Sequence, residues 1–426
     1  MTRSVGTRAT SNRLNESTGP SAATAAPGPA FGGDGSGGRT VRRRGAVRSV
    51  ALGAAALVVS GLLGACSGSD EGGSAPKLRG EITFGVLAPL SGDLAERGQD
   101  LVDGAQLAAA ELNDQGGVLG RQVKVVVEDG GCTPATGEQG ATGLAAKKVV
   151  GVVGGLCEDA AVAAAKAVAA TGTPFLVSSA RADRLIEAGV PSAFPMEATV
   201  YQEALAAVHW MAYRSAQQVA VLDDGSPAAQ RLSGLVTDRL KADGLPVSRH
   251  STDGSDLAKL AGTVTAAKAD FVYWTGAAEP GGRLVGALRQ AGYAGNFMAS
   301  SESDSPKFLQ AAGGAAEDAF LTTAAGPKLL PTAADWTARF KGRYRRDPGR
   351  DAMQAYDALR ALAQAVRQAG DTAPSKVVDN LPRLEDFTTF TGVLRFAADH
   401  SLTYDNYVIA QVRGGTFTLA SKLRTD

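Results

Sequence analysis

The stretch FGVLAPLSGDLAERGQDLVDGAQLAAAELNDQGGVLGRQVKVVVED, Phe84 to Asp129, decides how the rest of the chain is read. It begins inside an apolar, β-rich run, EITFGVLAPL from Glu81, that stops near Pro89. SGD then offers capping residues, and Leu101, Ala105, Ala108 and Leu112 recur at helical spacing. NDQGGVLG breaks the helix, and QVKVVVED alternates as a strand in its first half.

The same succession continues downstream. ATGLAAKKVV reads as helix, VGVVGG as strand, DAAVAAAKAVAATG as helix and TPFLVSSA as strand. Strands that alternate with helices call for a parallel sheet covered on both faces. A second series starts near Val200: VYQEALAAVHWMAY, QVAVLDD, AAQRLSGLVTDRLKADG, LPVSRH, DLAKLAGTVTAAK, DFVYWTG, GGRLVGALRQAG and NFMAS. Two series of similar size, over more residues than one core fills, predict two lobes. The expected fold is α/β, with two doubly wound lobes, each around a parallel central sheet, joined by a hinge. Ligands in open α/β sheets sit beyond the carboxyl ends of the strands, so facing lobes place a cleft between them.

Upstream, residues 1–38 are rich in Gly, Ala, Ser, Thr and Pro without apolar periodicity, which predicts a disordered extension. Arg39, Arg42, Arg43, Arg44 and Arg48 precede SVALGAAALVVSGLLGA, a charge-free run of 17 residues. A basic flank, a short apolar core and small residues at its end describe an export signal over 39–65. Its end, Leu63-Gly64-Ala65-Cys66, resembles the lipobox of bacterial lipoproteins, which implies lipid attachment at Cys66 and a membrane anchor. Residues 66–80 read as a flexible tether. The reading places the protein outside the cytoplasm, held by lipid on the outer face of the cytoplasmic membrane.

Lys plus Arg and Asp plus Glu both number 43, but residues 1–66 carry a net +6 and the remainder −6. That acidic remainder has no nucleic-acid footprint. Its one basic cluster, KGRYRRDPGR at 341–350, reads as a solvated helix end. No G-x-S-x-G, Walker loop, H-E-x-x-H or C-x-x-C occurs, so neither an enzyme nor a cofactor or metal site is expected. Cys132 and Cys157 are a disulfide candidate in an oxidising compartment, against the alternative of two separately buried thiols.

The opening stretch, with P-L-S-G, A-x-x-G, a helix ending in N-x-x-G-G, and a strand closing on D, resembles the amino-terminal lobe of leucine/isoleucine/valine-type substrate-binding proteins of ABC importers. DFVYWTGAAEPGGRLVGALRQAGYAGNFM, DAMQAYDALRALAQAV and FTGVLRFAADHS resemble later segments of that family, extending the likeness over roughly 81–420. It implies the type I periplasmic-binding-protein clamshell. Lobe 1 is then expected to comprise 81–197 plus 323–393, and lobe 2 to comprise 198–322 plus 394–426. It also implies that Cys132 pairs with Cys157 and rigidifies the ligand-facing tips.

The resemblance further implies ligand contacts. Ser91 and Arg97 fall in the first loop; Glu158, Asp159 and Ala160 follow the cysteine. Ser178, Ser179, Ala180 and Arg181 form the next loop, and Asp224, Ala277 and Glu302 come from the second lobe. Arg181 is suited either to an anionic group or to pairing with Glu158. Glu302 corresponds to the family's ammonium-gripping acid. Glu158 and Asp159 either make the pocket charged or cap the helix from Ala160. Tyr356 is expected to pack against the hinge, and Trp210, Trp274 and Trp336 to lie in the cores.

The functional expectation is a monomer that binds a small polar solute, such as an amino acid or amide, and presents it to ABC permease subunits. A receptor of the same fold coupled to a membrane sensor is the alternative.

Overall fold

The computed structural model describes residues 79–404 and 406–422; Cys66, the export signal and the tether up to residue 78 lie outside the described residues. The first sheet has five parallel strands: β1 (Glu81–Ala88), β2 (Gln122–Asp129), β3 (Val152–Gly154), β4 (Phe175–Val177) and β5 (Ala193–Pro195). Their spatial order is β2-β1-β3-β4-β5. The second sheet contains β6 (Val219–Asp223), β7 (Val247–Ser251), β8 (Phe271–Trp274), β9 (Asn296–Ala299), β10 (Phe320–Ala324), β11 (Tyr407–Arg413) and β12 (Thr416–Lys422). It runs β12-β11-β10-β9-β8-β6-β7, with parallel pairing from β7 to β10 and antiparallel pairing of β11 with both β10 and the edge strand β12. The α/β class and two-sheet organisation are therefore as the sequence pattern implied, with an antiparallel return added to the second sheet.

The helix in the opening stretch spans Ala95–Asp114, preceded by a short 3-10 turn at Gly92–Leu94. Ser91 makes no side-chain cap to that turn; its hydroxyl donates to Asp129 Oδ2 at 3.3 Å. Two glycines in this helix answer to close approach. A Cβ on Gly98 would stand 1.7 Å from the Pro89 carbonyl oxygen, and one on Gly104 would stand 2.0 Å from that of Ala352. The A-x-x-G glycine thus lets the helix sit against the turn after β1, and Gly104 lets it sit against the helix Arg350–Ala369.

Those two helices cover one face of the first sheet, burying Leu101, Ala105, Ala108, Ala358, Leu359 and Leu362 with Phe84 and Val86. The other face packs against the helices Pro134–Ala146 and Glu158–Ala169 through Leu144, Ala161, Ala164 and Val168. The second sheet is likewise covered on both faces, by clusters around Trp274, Leu284 and Phe308 and around Trp210, Val236 and Phe271. All three tryptophans are buried. Tyr356 lies away from the hinge: its ring meets Trp336 and Phe390 in the first lobe, and its hydroxyl donates to Glu111 at 2.5 Å. The helix period that aligns it with Ala352 and Leu359 turns it toward the first core.

The chain crosses between the sheets three times: after β5, after β10, and before β11. Leu394, Phe396 and Leu402, grouped above with the second lobe, pack in the first core, so the last crossing falls between Leu402 and Tyr407. Asn406 ties the crossings together. Its Oδ1 accepts from Ala198 N at 3.1 Å, its Nδ2 donates to Met196 O at 3.1 Å and Glu197 Oε2 at 3.2 Å, and its carbonyl accepts from Ala325 N at 3.2 Å.

Candidate functional site

Order in the first sheet reverses between β1 and β3, and in the second between β6 and β8. Such switch points open a crevice at the strand carboxyl ends. Loops there carry most of the residues singled out from sequence.

At the first switch point, Cys132 and Cys157 are joined by a disulfide with their Cα atoms 5.1 Å apart. The tip after β2 is further fixed by Asp129, whose Oδ1 accepts from Leu90 N at 3.0 Å and Gly131 N at 2.9 Å. The helix after the disulfide starts at Glu158, not Ala160, with Cys157 at its cap position. Glu158 and Asp159 therefore lie within the first turn, where negative charge suits the dipole. Glu158 Oε1 accepts from Arg184 N at 3.3 Å, and Asp159 pairs with the Arg184 guanidinium. They bind the β3 tip to the start of the short helix Asp183–Ala188. Burial, opposed by the Arg184 N–H, raises the Glu158 pKa.

Ser178, Ser179, Ala180 and Arg181 follow β4. Ser179 Oγ donates to Gln354 Oε1 at 3.2 Å. Arg181 does not pair with Glu158. It reaches across to the second lobe instead, where its Nη2 donates to Ser301 Oγ at 2.8 Å, Glu302 Oε1 at 3.0 Å and Glu203 Oε2 at 3.2 Å. Glu203 is fully buried and also accepts from Ser301 N at 2.7 Å, Ser301 Oγ at 3.0 Å and Thr322 Oγ1 at 2.9 Å. Burial works against the Arg181 charge, but Tyr407, Glu203, Glu302 and Asp183 outweigh it and hold the guanidinium firmly protonated.

The second-lobe candidates fall in two places. Asp224 accepts from Ala277 N at 2.8 Å and Ser226 N at 3.0 Å, closing the β6/β8 switch point as Asp129 holds its own tip. Glu302 belongs to the Arg181 cluster. Arg97 stands apart, in a two-bonded pair with Asp351 at 2.7 and 2.9 Å.

The basic segment 341–350 is a solvated helix end at Lys341, Arg343 and Arg345, but not throughout. Arg346 bonds Asp100 and Asp103, both at 2.7 Å, and those two acids project from the first helix's buried face. Arg350 lines a cavity of about 570 Å³ with Arg97, Gly349 and Asp351 from the first lobe and Asp304, Leu309 and Phe417 from the second. Such a volume suits a small-molecule site. Sequence reading missed Glu203, Ser301, Arg350 and Tyr407. Arg350 carried a signal: a cation at the first position of a helix opposes the dipole.

Two α/β lobes, three crossings and converging loops define a two-lobed binder. A family model described as "Periplasmic binding protein" matches residues 81–416, and the chain belongs to that family. A Pseudomonas aeruginosa protein named "Amino acid binding protein" is 25% identical over 337 residues, covering 77% of this chain and 89% of that protein. Among solved structures, the branched-chain amino acid transporter substrate-binding protein LivJ of Streptococcus pneumoniae, in complex with isoleucine, is 24% identical with TM-score 0.63. It covers 79% of this chain and 97% of its own. A solute-binding protein of an ABC transporter from R. palustris, in complex with benzoate, is 19% identical with TM-score 0.62, covering 80% and 96%. No helix among the described residues is long and apolar enough to cross a membrane.

Proposed function

We propose that the protein is an extracytoplasmic solute-binding lipoprotein of an ABC importer, anchored through Cys66. Its lobes close on a small polar solute and deliver it to a membrane permease. The observation that carries this reading is Arg181, a first-lobe side chain bonded to Ser301 and Glu302 of the second. One gap is thus lined by functional loops of both lobes, the arrangement in which a solute favours closure by touching both. The relatives' names support transport over catalysis. They also span amino-acid and aromatic-acid ligands within one fold.

A thermal-shift screen of amino acids, amides, polyamines and small acids tests the binding reading. A bound solute raises Tm by linkage; a flat response across all classes contradicts it. Loss of membrane association in Cys66→Ala tests the anchor.

A further inference from the structure

The interlobe gap holds hydrogen-bond donors that have no acceptor among the described residues. Arg350 opens the helix Arg350–Ala369 and is half-buried, yet its guanidinium makes no hydrogen bond or close ion pair among the described residues. Tyr407 is 4% exposed, and its hydroxyl has no hydrogen-bond partner among the described residues. It lies within electrostatic range of Arg181, Arg350, Glu203 and Glu197. Arg181 uses only Nη2, leaving Nε and Nη1 without acceptors among the described residues.

Of the carboxylates nearby, Glu96 at the cavity makes no hydrogen bond or ion pair among the described residues, and the others are engaged. Glu197 accepts from Gln354 and Asn406, Asp351 from Arg97 twice, Glu203 from four donors, and Asp304 from Thr323 at 2.5 Å. Glu302, the acid expected to grip an ammonium group, is already held by Arg181. Burial pushes the Glu197 pKa up against the pull of Arg350, and Glu197, Asp351 and Asp304 in turn favour the Arg350 charge without bonding to it. The Arg350 guanidinium and the Tyr407 hydroxyl both remain open to water, so a solute that brings acceptors can engage them on entering the cleft.

We propose that the cleft takes a small organic acid lacking an α-ammonium group, and that Arg350 and Tyr407, with the unengaged edge of Arg181, receive its carboxylate. This rests on the solute-binding reading above and adds the ligand class. A carboxylate matches the planar fork of a guanidinium and accepts from a phenol, whereas an amide offers one oxygen and no charge. Leu309 and Phe417 across the cavity offer apolar surface for the rest of the acid.

The test uses the purified chain and matched probes: benzoate with benzamide and benzylamine, glutarate with glutaramide, and L-leucine. Thermal shift ranks them and calorimetry gives Kd. At least one acid is expected to raise Tm while its amide and amine do not. Arg350→Gln should weaken that acid about tenfold or more, and Arg350→Lys should restore part of the loss. Tyr407→Phe, which removes one hydroxyl and no packing, should weaken it several-fold, so the inference does not depend on the arginine variant folding well. Equal affinity for acid and amide, or unchanged Kd in both Arg350→Gln and Tyr407→Phe, overturns the proposal. Binding of amines, amides or leucine without any acid overturns it while leaving the solute-binding reading intact. Silence across the whole panel counts against both.

Discussion

The loop tips of the two lobes face the same gap but are held by different chemistry. In the first lobe the tips after β2 and β3 are joined covalently through Cys132 and Cys157, and the β3 and β4 tips through Glu158, Asp159 and Arg184. In the second lobe the β6 and β8 tips meet through one carboxylate, Asp224, accepting backbone N–H groups. Burial raises the Asp224 pKa, but the Ser226 hydroxyl, together with those backbone N–H groups, outweighs it and lowers it overall. A disulfide holds its loops at any pH, whereas a carboxylate holds its partners only while ionised. The β2–β3 junction of the first lobe is therefore held at any pH, whereas the β6–β8 junction of the second depends on an ionised carboxylate.

Removing the crosslink should have the largest effect. Cys132→Ser opens a loop of 25 residues and is expected to cost about 3 kcal/mol, read as a lower Tm and faster proteolysis within 130–160. Loss of Asp224→Asn stability to the same extent would remove the asymmetry.

Two buried aspartates sharpen the contrast. Asp357, in the first-lobe helix, is pushed up to about 6 by burial, which the Phe390 N–H and Arg360 only partly offset. A raised carboxyl favours the folded state while protonated, so stability falls as pH rises from about 4 to 6, by roughly 2–3 kcal/mol. Asp357→Asn should flatten that fall in denaturant titrations across this range. Asp223, buried in the second lobe, behaves oppositely. Burial raises it, but Ser251, Ser233, Gly225 N and Arg249 together bring it below the ordinary value. Its contribution is present above pH 4 and is lost as pH falls through its depressed folded value. Asp223→Asn should therefore destabilise at neutral pH by about 1–2 kcal/mol and much less in strong acid.

The smallest effect is expected at Glu158. Glu158→Ser removes an acceptor for Arg184 N and one first-turn charge, costing about 0.5–1 kcal/mol. A change in solute preference larger than this stability loss would return Glu158 to the pocket.

Much of the frame was readable from residues alone because it rests on periodicity and close approach. The Phe84–Asp129 stretch carried strand, helix and strand, and Gly98 and Gly104 mark contacts that only glycine permits. The site was less readable. Glu158, Asp159, Asp224 and Arg97 lie at first helical turns or loops beyond the strand ends, yet their charges are spent on Arg184, Ala277 and Asp351. Local spacing cannot reveal a partner more than a hundred residues away, as for Arg181 with Glu302 or Arg97 with Asp351. Glu203 looked like any acid in a helix's first turn, and only the folded chain buries it beneath Arg181.

The central claim is that both lobes grip one solute. Small-angle scattering of the chain, with and without the solute that most raises its Tm, tests it directly. A smaller radius of gyration on saturation is the expected result. An unchanged radius, with the solute demonstrably bound, would contradict closure about Asn406.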